Sequence, residues 1–207
     1  MSELTEKRNR ETRSHIAETA VALFTEHGYD NTSMEQVAVG AGVSRRTVYR
    51  HFPTKDDLVF EHPRRWYETM EAVLATRGSD ESSRDLIRRA LLTVAATIEE
   101  SAGPVLAAYA VLVATPTLGS RHSVSDALWM NRCVELMAGD LVAEPDPIFR
   151  AGIAAGALVG ATNTVIAMWA AAQPDARIVP MTEAALDQID SIWPAATRIR
   201  PPTPLQA

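Results

Sequence analysis

The chain has 207 residues, of which 46% are hydrophobic and 22% are charged, so it is long enough for one or two packed domains and its composition excludes a disordered chain. Its formal net charge of −6 argues against nucleic-acid binding through bulk charge, so any such binding must use a local basic patch. The single cysteine, Cys133, excludes an internal disulfide, and the polar N-terminus lacks the apolar run of a signal peptide, so a cytoplasmic location is expected.

The N-terminal stretch predicts an exposed arm followed by two helices. Residues 1–8 are strongly polar and are expected to form a flexible arm, and an apolar face with helical spacing predicts a helix over about residues 9–27. Gly28 occupies the place of a C-terminal helix glycine. The second helix begins at Thr32 or Ser33, because both have a capping-box partner three positions later and the sequence does not choose between them.

A tight glycine turn separates the second helix from a short third helix. Ser44 is the expected N-cap of the third helix, and Pro53 ends it because proline lacks the N–H group that a helix interior needs. Thr54 then caps a fourth helix, which is predicted to continue to about residue 76 with a kink at Pro63. Two short helices joined by a glycine turn and braced by a longer helix are typical of a helix-turn-helix.

The remainder of the chain is also predicted to be helical. Helical patterns cover about residues 83–101, 104–114, 120–143, 147–173 and 181–193, and the four prolines from Pro194 onward favour an irregular tail. No stretch alternates between apolar and polar residues as a half-buried strand does. The expected fold class is therefore all-α.

The third predicted helix carries a concentration of basic side chains. Val48 and Phe52 form its buried side, and its outward positions are Arg45, Arg46, Thr47, Tyr49, Arg50 and His51. Three arginines on so short a helix repel each other and have little structural purpose, whereas an arginine can donate two hydrogen bonds to the O6 and N7 atoms of guanine. Hydroxyl and imidazole groups can bind phosphate oxygens. This pattern predicts a DNA-reading helix.

A longer set of residues is ordered across the first three helices. It comprises Thr12, Ile16, Ala20, Leu23, Phe24, Gly28, Tyr29, Thr32, Ser33, Val37, Ala38, Ala41, Gly42, Val43, Ser44, Thr47, Val48, Tyr49, His51, Phe52, Lys55 and Leu58. This set resembles the DNA-binding domain of the TetR family of bacterial transcriptional regulators. The resemblance implies an all-α homodimer with an N-terminal helix-turn-helix domain and a larger all-helical ligand-binding body. We therefore expect a helix-turn-helix domain at 1–53 and a ligand-binding and dimerisation domain at 54–194, and the prolines indicate an irregular tail at 195–207.

The reader helix and its surroundings supply the candidate DNA contacts. They are Ser33, Ser44, Arg45, Arg46, Thr47, Tyr49, Arg50, His51 and Lys55. Lys55 lies at the N-terminus of the fourth helix, where its charge adds to the helix dipole in attracting a phosphate. Because the resemblance implies a dimer, the expected target is a palindromic double-stranded DNA operator. The basic residues Lys7, Arg8, Arg10 and Arg13 are either a solubilising tail or further DNA contacts.

Bulky side chains on the later helices are candidates for a ligand pocket. They are Trp66, Met70, Tyr109, Trp129 and Asn163, which come from four predicted helices. Their apolar character favours a small hydrophobic ligand with few polar contacts. Each residue also suits an ordinary core position. The Asn163 amide lies in a charge-free helix and needs a hydrogen-bond partner, which is either a ligand or a neighbouring helix.

The last two predicted helices are the expected dimer interface, because the family resemblance implies that they form a four-helix bundle between subunits. The residues expected at the interface are Gly152, Gly156, Val165, Trp169, Leu186, Ile189 and Trp193. Gly152, Gly156 and Gly160 are four residues apart and form one smooth stripe that lets another helix approach closely. The stripe faces either the partner or a helix of its own subunit; in the second case Val165, Met168 and Trp169 carry more of the contact.

One segment satisfies the length requirement of a transmembrane helix. Ala151 to Ala172 carries no charge over 22 residues, which is enough to span a bilayer. Polar residues in its middle, and the absence of a flanking Lys or Arg cluster, favour a buried soluble helix with a small-residue face instead. No membrane partner is expected.

The predicted function is that of a DNA-binding regulator, and most simply a repressor that a small hydrophobic ligand releases from its operator. The alternatives are a constitutive DNA-binding protein of the same fold without an effector, and an interaction protein that keeps the fold but binds no DNA. The five histidines show no metal-ligand spacing, and the sequence has no phosphate loop or nucleophile motif. No metal, cofactor or enzymatic activity is expected.

Overall fold

A computed structural model of the chain describes residues 3–143, 145–172 and 176–192. Its helices are α1 (Glu3–His27), α2 (Met34–Gly40), α3 (Arg45–His51), α4 (Lys55–Val59), α5 (Glu61–Leu74), α6 (Ser83–Glu100), α7 (Ala102–Ala114), α8 (Pro116–Asp140), α9 (Pro147–Ala171) and α10 (Ile178–Ile192). The described ranges contain no strand, which confirms the all-α prediction. Trp193 and the tail predicted from residue 195 lie outside the described residues.

Helix α1 includes residues that were expected to form an arm. It begins at Glu3, and the side chains of residues 4–11 are exposed. The polar composition of this stretch suggested an arm, but Glu, Lys and Arg are good helix formers. A helix also propagates readily once a packed turn has nucleated it, and the later turns of α1 are buried. Residues 3–8 therefore continue the helix outward into solvent.

The predicted fourth helix is divided into two helices. Thr54 caps α4 as expected, with Asp57 completing the capping box, but α4 ends at Val59 and α5 begins at Glu61. The break precedes Pro63 and does not lie at it, because a proline in the first turn of a helix removes an N–H group that has no intrahelical partner there. The expected kink at Pro63 is thus a helix start.

The contacts between helices divide the chain into two compact units. The first comprises Met1–Tyr67 and Ser101–His122, and the second comprises Glu68–Glu100 and Ser123–Ala207. This division differs from the boundary expected after residue 53. Helices α4 and α7 each pack against α1, and they also pack against each other. They therefore belong to the same unit as the helix-turn-helix.

The core of the first unit forms around α1. Ile16, Ala20 and Phe24 are buried on one face of this helix, and α2, α4 and α7 pack against it. Val48 and Phe52, the two apolar residues of the third helical segment, join the same core and have no exposed surface. Full burial of one such side chain is worth about 1.5–3 kcal/mol. These two anchors hold α3, which has seven residues and is too short to be stable alone.

The second unit is built on the packing of α10 against α6 and α9. Ser83 links the start of α6 to the end of α8: its hydroxyl donates to the Leu136 carbonyl at 2.7 Å and its backbone N–H donates to Asp140 Oδ2 at 2.6 Å. Cys133 has no exposed surface, and burial raises the pKa of its thiol to about 12. The thiol therefore stays protonated, and Cys133 packs as a small apolar residue.

Helix α9 is long and apolar enough to cross a membrane by length and composition alone. Core helices of soluble proteins meet the same criterion. Within the subunit, 28% of the most apolar 18-residue window of α9 is buried. Much of the apolar surface of this helix is therefore open in the single chain.

Candidate nucleic-acid interface

The start of α2 is set by Ser33. Its Oγ accepts a hydrogen bond from the Gln36 backbone N–H at 3.2 Å, and its own N–H donates to Gln36 Oε1 at 2.7 Å. This reciprocal pair is a complete capping box. Thr32 is buried instead, and its hydroxyl donates to the Gly28 carbonyl at 2.9 Å. The structure therefore shows that Ser33, and not Thr32, is the N-cap of α2.

The turn between α2 and α3 depends on Gly42. This residue has a φ of 64°, a left-handed conformation that glycine adopts without steric penalty. The following Val43 N–H donates to the Ala38 carbonyl at 3.0 Å and closes the end of α2. Ser44 then caps α3 as predicted, because its Oγ accepts from the Thr47 N–H at 3.1 Å. Local hydrogen bonds thus fix where the reader helix begins.

Helix α3 presents a basic face opposite its buried anchors. Val48 and Phe52 are fully buried, whereas Arg45, Arg46, Tyr49 and Arg50 are exposed, Tyr49 to 45%. Thr47 is half-buried, and its Oγ1 lies 2.8 Å from Ser44 Oγ. The arrangement places three guanidinium groups and one phenol on the solvent side of one short helix.

Arg45 is paired with an acidic residue on the neighbouring helix. Its Nη2 forms an ion pair with Oε1 of Glu35, which lies in the first turn of α2. The Arg45 side chain is 66% exposed and that of Glu35 is 44% exposed, so the pair lies at the surface. Glu35 was not among the predicted site residues, because no local spacing rule connects positions on two helices separated by a turn.

A buried carboxylate connects α1, α3 and α5. Glu61 is 3% exposed and receives Arg13 Nε at 2.6 Å, Arg64 Nε at 3.0 Å and Arg64 Nη2 at 2.7 Å. Arg13 Nη1 also donates to the backbone carbonyl of His51 at the end of α3, and the Arg13 guanidinium lies 4.2 Å from the centre of the Phe52 ring. Arg13 is therefore a structural brace for α3, a role that sequence analysis missed because its partners lie 38 and 48 residues away.

His51 does not face outward as the helical pattern had suggested. It is 6% exposed, and its Nε2 lies 3.3 Å from Arg50 Nη2. Burial, helped by Arg50 and Arg13, lowers the pKa of the imidazole below its ordinary value, against a smaller opposing effect of Glu61. The expected outward orientation is wrong because His51 is the last residue of α3, where the chain turns inward toward Arg13. A neutral, buried ring is poorly suited to bind a phosphate.

Lys55 has partners inside the first unit. Its Nζ donates to the carbonyls of Tyr29 at 2.8 Å and Thr32 at 3.2 Å, and it lies 4.2 Å from the centre of the Tyr29 ring. These contacts attach the start of α4 to the loop that follows α1. An ammonium has three N–H donors, so these two bonds leave capacity for a further acceptor. The predicted phosphate contact stays a prediction.

Comparison with known structures and sequences shows which proteins this chain resembles. The structure of SmeT in complex with triclosan matches with a TM-score of 0.66 and 21% identity, covering 95% of this chain and 98% of SmeT. NalD from Pseudomonas aeruginosa matches with a TM-score of 0.62 and 21% identity, covering 89% and 96%. These likenesses show the fold. Residues 16–61 match the family described as bacterial regulatory proteins, tetR family. This match covers the second half of α1 and the whole of α2, α3 and α4.

The sequence similarity to individual TetR-family relatives is confined to part of the chain. The HTH-type transcriptional regulator AcrR of Shigella flexneri is 41% identical over 61 residues, which are 30% of this chain and 28% of AcrR. Three curated relatives are matched over 27–43% of their own lengths, so the chain spans less than half of each of them.

The five residues predicted to line a ligand pocket are distributed over both units. Trp66 and Tyr109 are half-buried in the first unit, whereas Met70 and Trp129 are buried and Asn163 is half-buried in the second. The Asn163 side chain already takes part in an interaction within the described structure. The pocket prediction stays a prediction.

A groove of about 480 Å³ lies on the solvent side of α6 in the second unit. It is lined by Asp85, Arg88, Arg89, Leu92, Thr93 and Ala96, and therefore by none of the five predicted ligand residues. Its two arginines are engaged: Arg88 with Asp187 at 2.5 Å, and Arg89 with Glu81 at 2.8 and 2.9 Å. An anionic ligand would have to compete with these carboxylates. The ion pairs along an exposed helix face therefore account for the two neighbouring arginines, Arg88 and Arg89.

The predicted dimer residues fall on two sides of α9 and α10. Val165, Trp169 and Leu186 are only 2–5% exposed, and Trp169 Nε1 donates to the Ala176 carbonyl at 3.0 Å. These three side chains are buried in their own subunit and have little surface for a partner. Ile189 is half-buried, and Trp193 lies outside the described residues. The dimer interface expected from these residues stays a prediction.

The opposite side of α9 is open. Phe149, Ile153 and Met168 are 51%, 37% and 59% exposed, and Gly160 is exposed between them. A Cβ atom added at Gly152 or Gly160 would meet no described atom within 4 Å, and at Gly156 it would meet Met130 Sδ at 4.0 Å. The glycine stripe is thus not packed closely against a described helix of its own subunit. Whether the stripe meets a partner subunit stays a prediction.

Proposed function

We propose that this protein is a TetR-family transcriptional regulator that binds a palindromic DNA operator as a homodimer in the cytoplasm, and that it has no enzymatic activity. The proposal extends to its mode of action: a repressor that a small hydrophobic ligand releases from the operator. One observation carries the DNA-binding part. Arg45, Arg46, Tyr49 and Arg50 are exposed on one face of α3, while Val48 and Phe52 on the other face are fully buried.

The basic face suits the chemistry of a major groove. Arginine can donate two hydrogen bonds to the O6 and N7 atoms of guanine, and each such pair is worth about 1–3 kcal/mol of discrimination. The Tyr49 hydroxyl and the exposed hydroxyl group of Ser44 can bind phosphate oxygens and orient the helix. Because α3 is anchored by Val48 and Phe52 and capped by Ser44, these groups are presented by a fixed element.

The names of related proteins support the regulatory part of the proposal. AcrR is named an HTH-type transcriptional regulator, and NalD is named the secondary repressor of the MexAB-OprM multidrug efflux pump. SmeT was solved in complex with triclosan. A repressor that responds to a small hydrophobic ligand is consistent with these relatives. Such a ligand acts only if it binds the released conformation more tightly than the DNA-bound one.

The open side of α9 supports the dimer. Phe149, Ile153, Gly160, Thr164 and Met168 are exposed, and no charged residue interrupts the helix between Ala151 and Ala172. An apolar helix face of this length in water favours association. A second copy can bury it through the same face, as twofold symmetry requires. The dimer would place two copies of α3 about 34–36 Å apart, which matches successive major grooves on one side of DNA.

The DNA-binding proposal is tested by selecting sequences from a random DNA pool with the purified protein. We expect a palindromic site to be enriched. Arg46→Ala should then weaken binding to this site by about 5- to 150-fold, the equivalent of one bidentate base contact, and should relax the preference at one position per half-site. Release of the selected DNA is then screened against a set of hydrophobic compounds.

Arg177→Ala is the matched control for the same change of charge. Arg177 is 70% exposed and pairs with Glu99 in the second unit, so its loss should leave the base preference unchanged. The DNA-binding proposal fails if no sequence is enriched. The assignment of α3 as the base-reading helix fails if Arg46→Ala lowers the affinity for selected and random DNA by the same factor.

A further inference from the structure

We propose that Glu35 is a specificity-determining residue of the DNA interface, which acts by positioning the guanidinium of Arg45. This inference rests on the proposed DNA-binding function. It assigns to an acidic residue on α2 a role that the reader helix alone does not reveal. The observation behind it is the ion pair that joins Glu35 Oε1 to Arg45 Nη2 on the exposed side of the helix-turn-helix.

Arg45 lies where a helix does not favour a positive charge. It is the first residue of α3, directly after the N-cap Ser44. The N-terminal end of a helix carries a partial positive charge from its unpaired N–H groups, which stabilises anions and repels cations. Arg46 follows immediately and adds a second positive charge. Without a neighbouring anion, the Arg45 side chain would be driven away from the start of α3 into solvent.

Glu35 supplies that anion from a fixed position. It lies in the first turn of α2, where a carboxylate is favoured by the dipole of its own helix, and the Ser33–Gln36 capping box holds that turn. The pair with Arg45 therefore connects two helix starts across the turn. It restricts the guanidinium to one region of the exposed surface, which reduces the conformational entropy that Arg45 must lose when it binds a base.

The pair leaves Arg45 able to read a base. A guanidinium has five N–H donors, and the ion pair uses Nη2, so other donors stay available for the acceptor atoms of guanine. Glu35 itself can only accept hydrogen bonds while it is ionised, and it repels phosphate oxygens and base acceptors. DNA that offers acceptor atoms to Arg45 therefore binds more tightly. DNA in other registers places its acceptor atoms near the Glu35 carboxylate, which repels them.

The same carboxylate lowers affinity for DNA in general. The exposed face of α3 carries Arg45, Arg46 and Arg50, and Glu35 offsets one of these three positive charges. Non-specific binding depends on the sum of such charges near the phosphates. Glu35 therefore raises specificity in two ways. It orients the base-reading arginine, and it weakens binding to random sequence.

The test uses Glu35→Gln, which keeps the size of the side chain and removes its charge. We expect affinity for random DNA to rise by up to about fivefold, as for the loss of an exposed charge interaction. We expect the preference at the base position read by Arg45 to fall by up to about fivefold, the most that an exposed ion pair can contribute. Glu35→Asp keeps the charge on a shorter side chain and should give an intermediate preference. Glu26→Gln, which removes an exposed carboxylate that pairs with His27 on α1, should leave both quantities unchanged.

A double-variant comparison separates positioning from a structural effect. In the Arg45→Ala background, Glu35→Gln should no longer change the preference at that position, because there is no guanidinium left to orient. The inference is overturned if Glu35→Gln keeps the wild-type preference at every position, or if its effect is as large without Arg45 as with it. If the wild-type protein itself selects no sequence, the proposed function fails and this inference fails with it. If it does select a sequence, these variants test only the role of Glu35.

Discussion

Replacing Glu61 by Gln should strongly destabilise the first unit. The Glu61 side chain is 3% exposed and accepts hydrogen bonds from Arg13 and Arg64. Gln keeps the shape of the side chain but removes its charge, so two guanidinium groups would lose their common anion. The same change would weaken the hold of Arg13 on the His51 carbonyl at the end of α3.

The expected size of the effect follows from burial. Breaking a buried ion pair by removing one partner costs about 3–5 kcal/mol, because the remaining charge is left uncompensated. Here the two arginines are 21% and 39% exposed, so water can solvate part of each guanidinium. We therefore expect a loss of about 2–3 kcal/mol, below the range for a fully buried pair.

The measurement is urea unfolding followed by circular dichroism, combined with amide hydrogen exchange in α1 and α3. Glu35→Gln is the matched control in the same unit, because it removes an Arg–Glu pair at the surface, and it should cost about 0–1 kcal/mol. Exchange should accelerate in α3 for Glu61→Gln and not for Glu35→Gln. If both variants lose the same free energy of unfolding, the buried network does not stabilise this unit and the reasoning is refuted.

Two further predictions concern acidity and assembly. The pKa values of His51 and His62 are lowered from 6.5, in both cases mainly by burial, so below pH 6.5 the unfolded chain binds more protons than the folded one. The free energy of unfolding should therefore fall as the pH is lowered from about 7 to about 5.5. Replacing both histidines by Asn should make the free energy of unfolding less dependent on pH in this range, and an unchanged slope would contradict the prediction. If the proposed dimer forms through the open face of α9, Met168→Arg should yield a monomer by light scattering, because it places a charge on that face, whereas Val113→Arg, at another exposed apolar residue, should stay dimeric. A dimeric Met168→Arg protein would place the interface elsewhere.

Features set by neighbouring residues could be read from the sequence. The N-caps Ser44 and Thr54 were predicted and are present, because a cap needs only the backbone N–H three residues later. The burial of Val48 and Phe52 followed from their helical spacing. The choice of Ser33 over Thr32 was left open because both have a suitable partner; it was decided by the burial of Thr32 against α1.

Features set by distant residues appeared only in the tertiary structure. Lys55 donates to carbonyls 23 and 26 residues earlier, and His51 is drawn inward by Arg13, 38 residues away. The face of α9 that is buried is a similar case, because helical periodicity groups Val165, Met168 and Trp169, whereas the structure buries Val165 and Trp169 and leaves Met168 59% exposed. Local sequence determined where α3 and α4 begin and which helix carries the basic face. Only the tertiary structure decided which polar groups are already engaged, because hydrogen bonds and ion pairs between distant segments depend on packing that no local spacing rule contains.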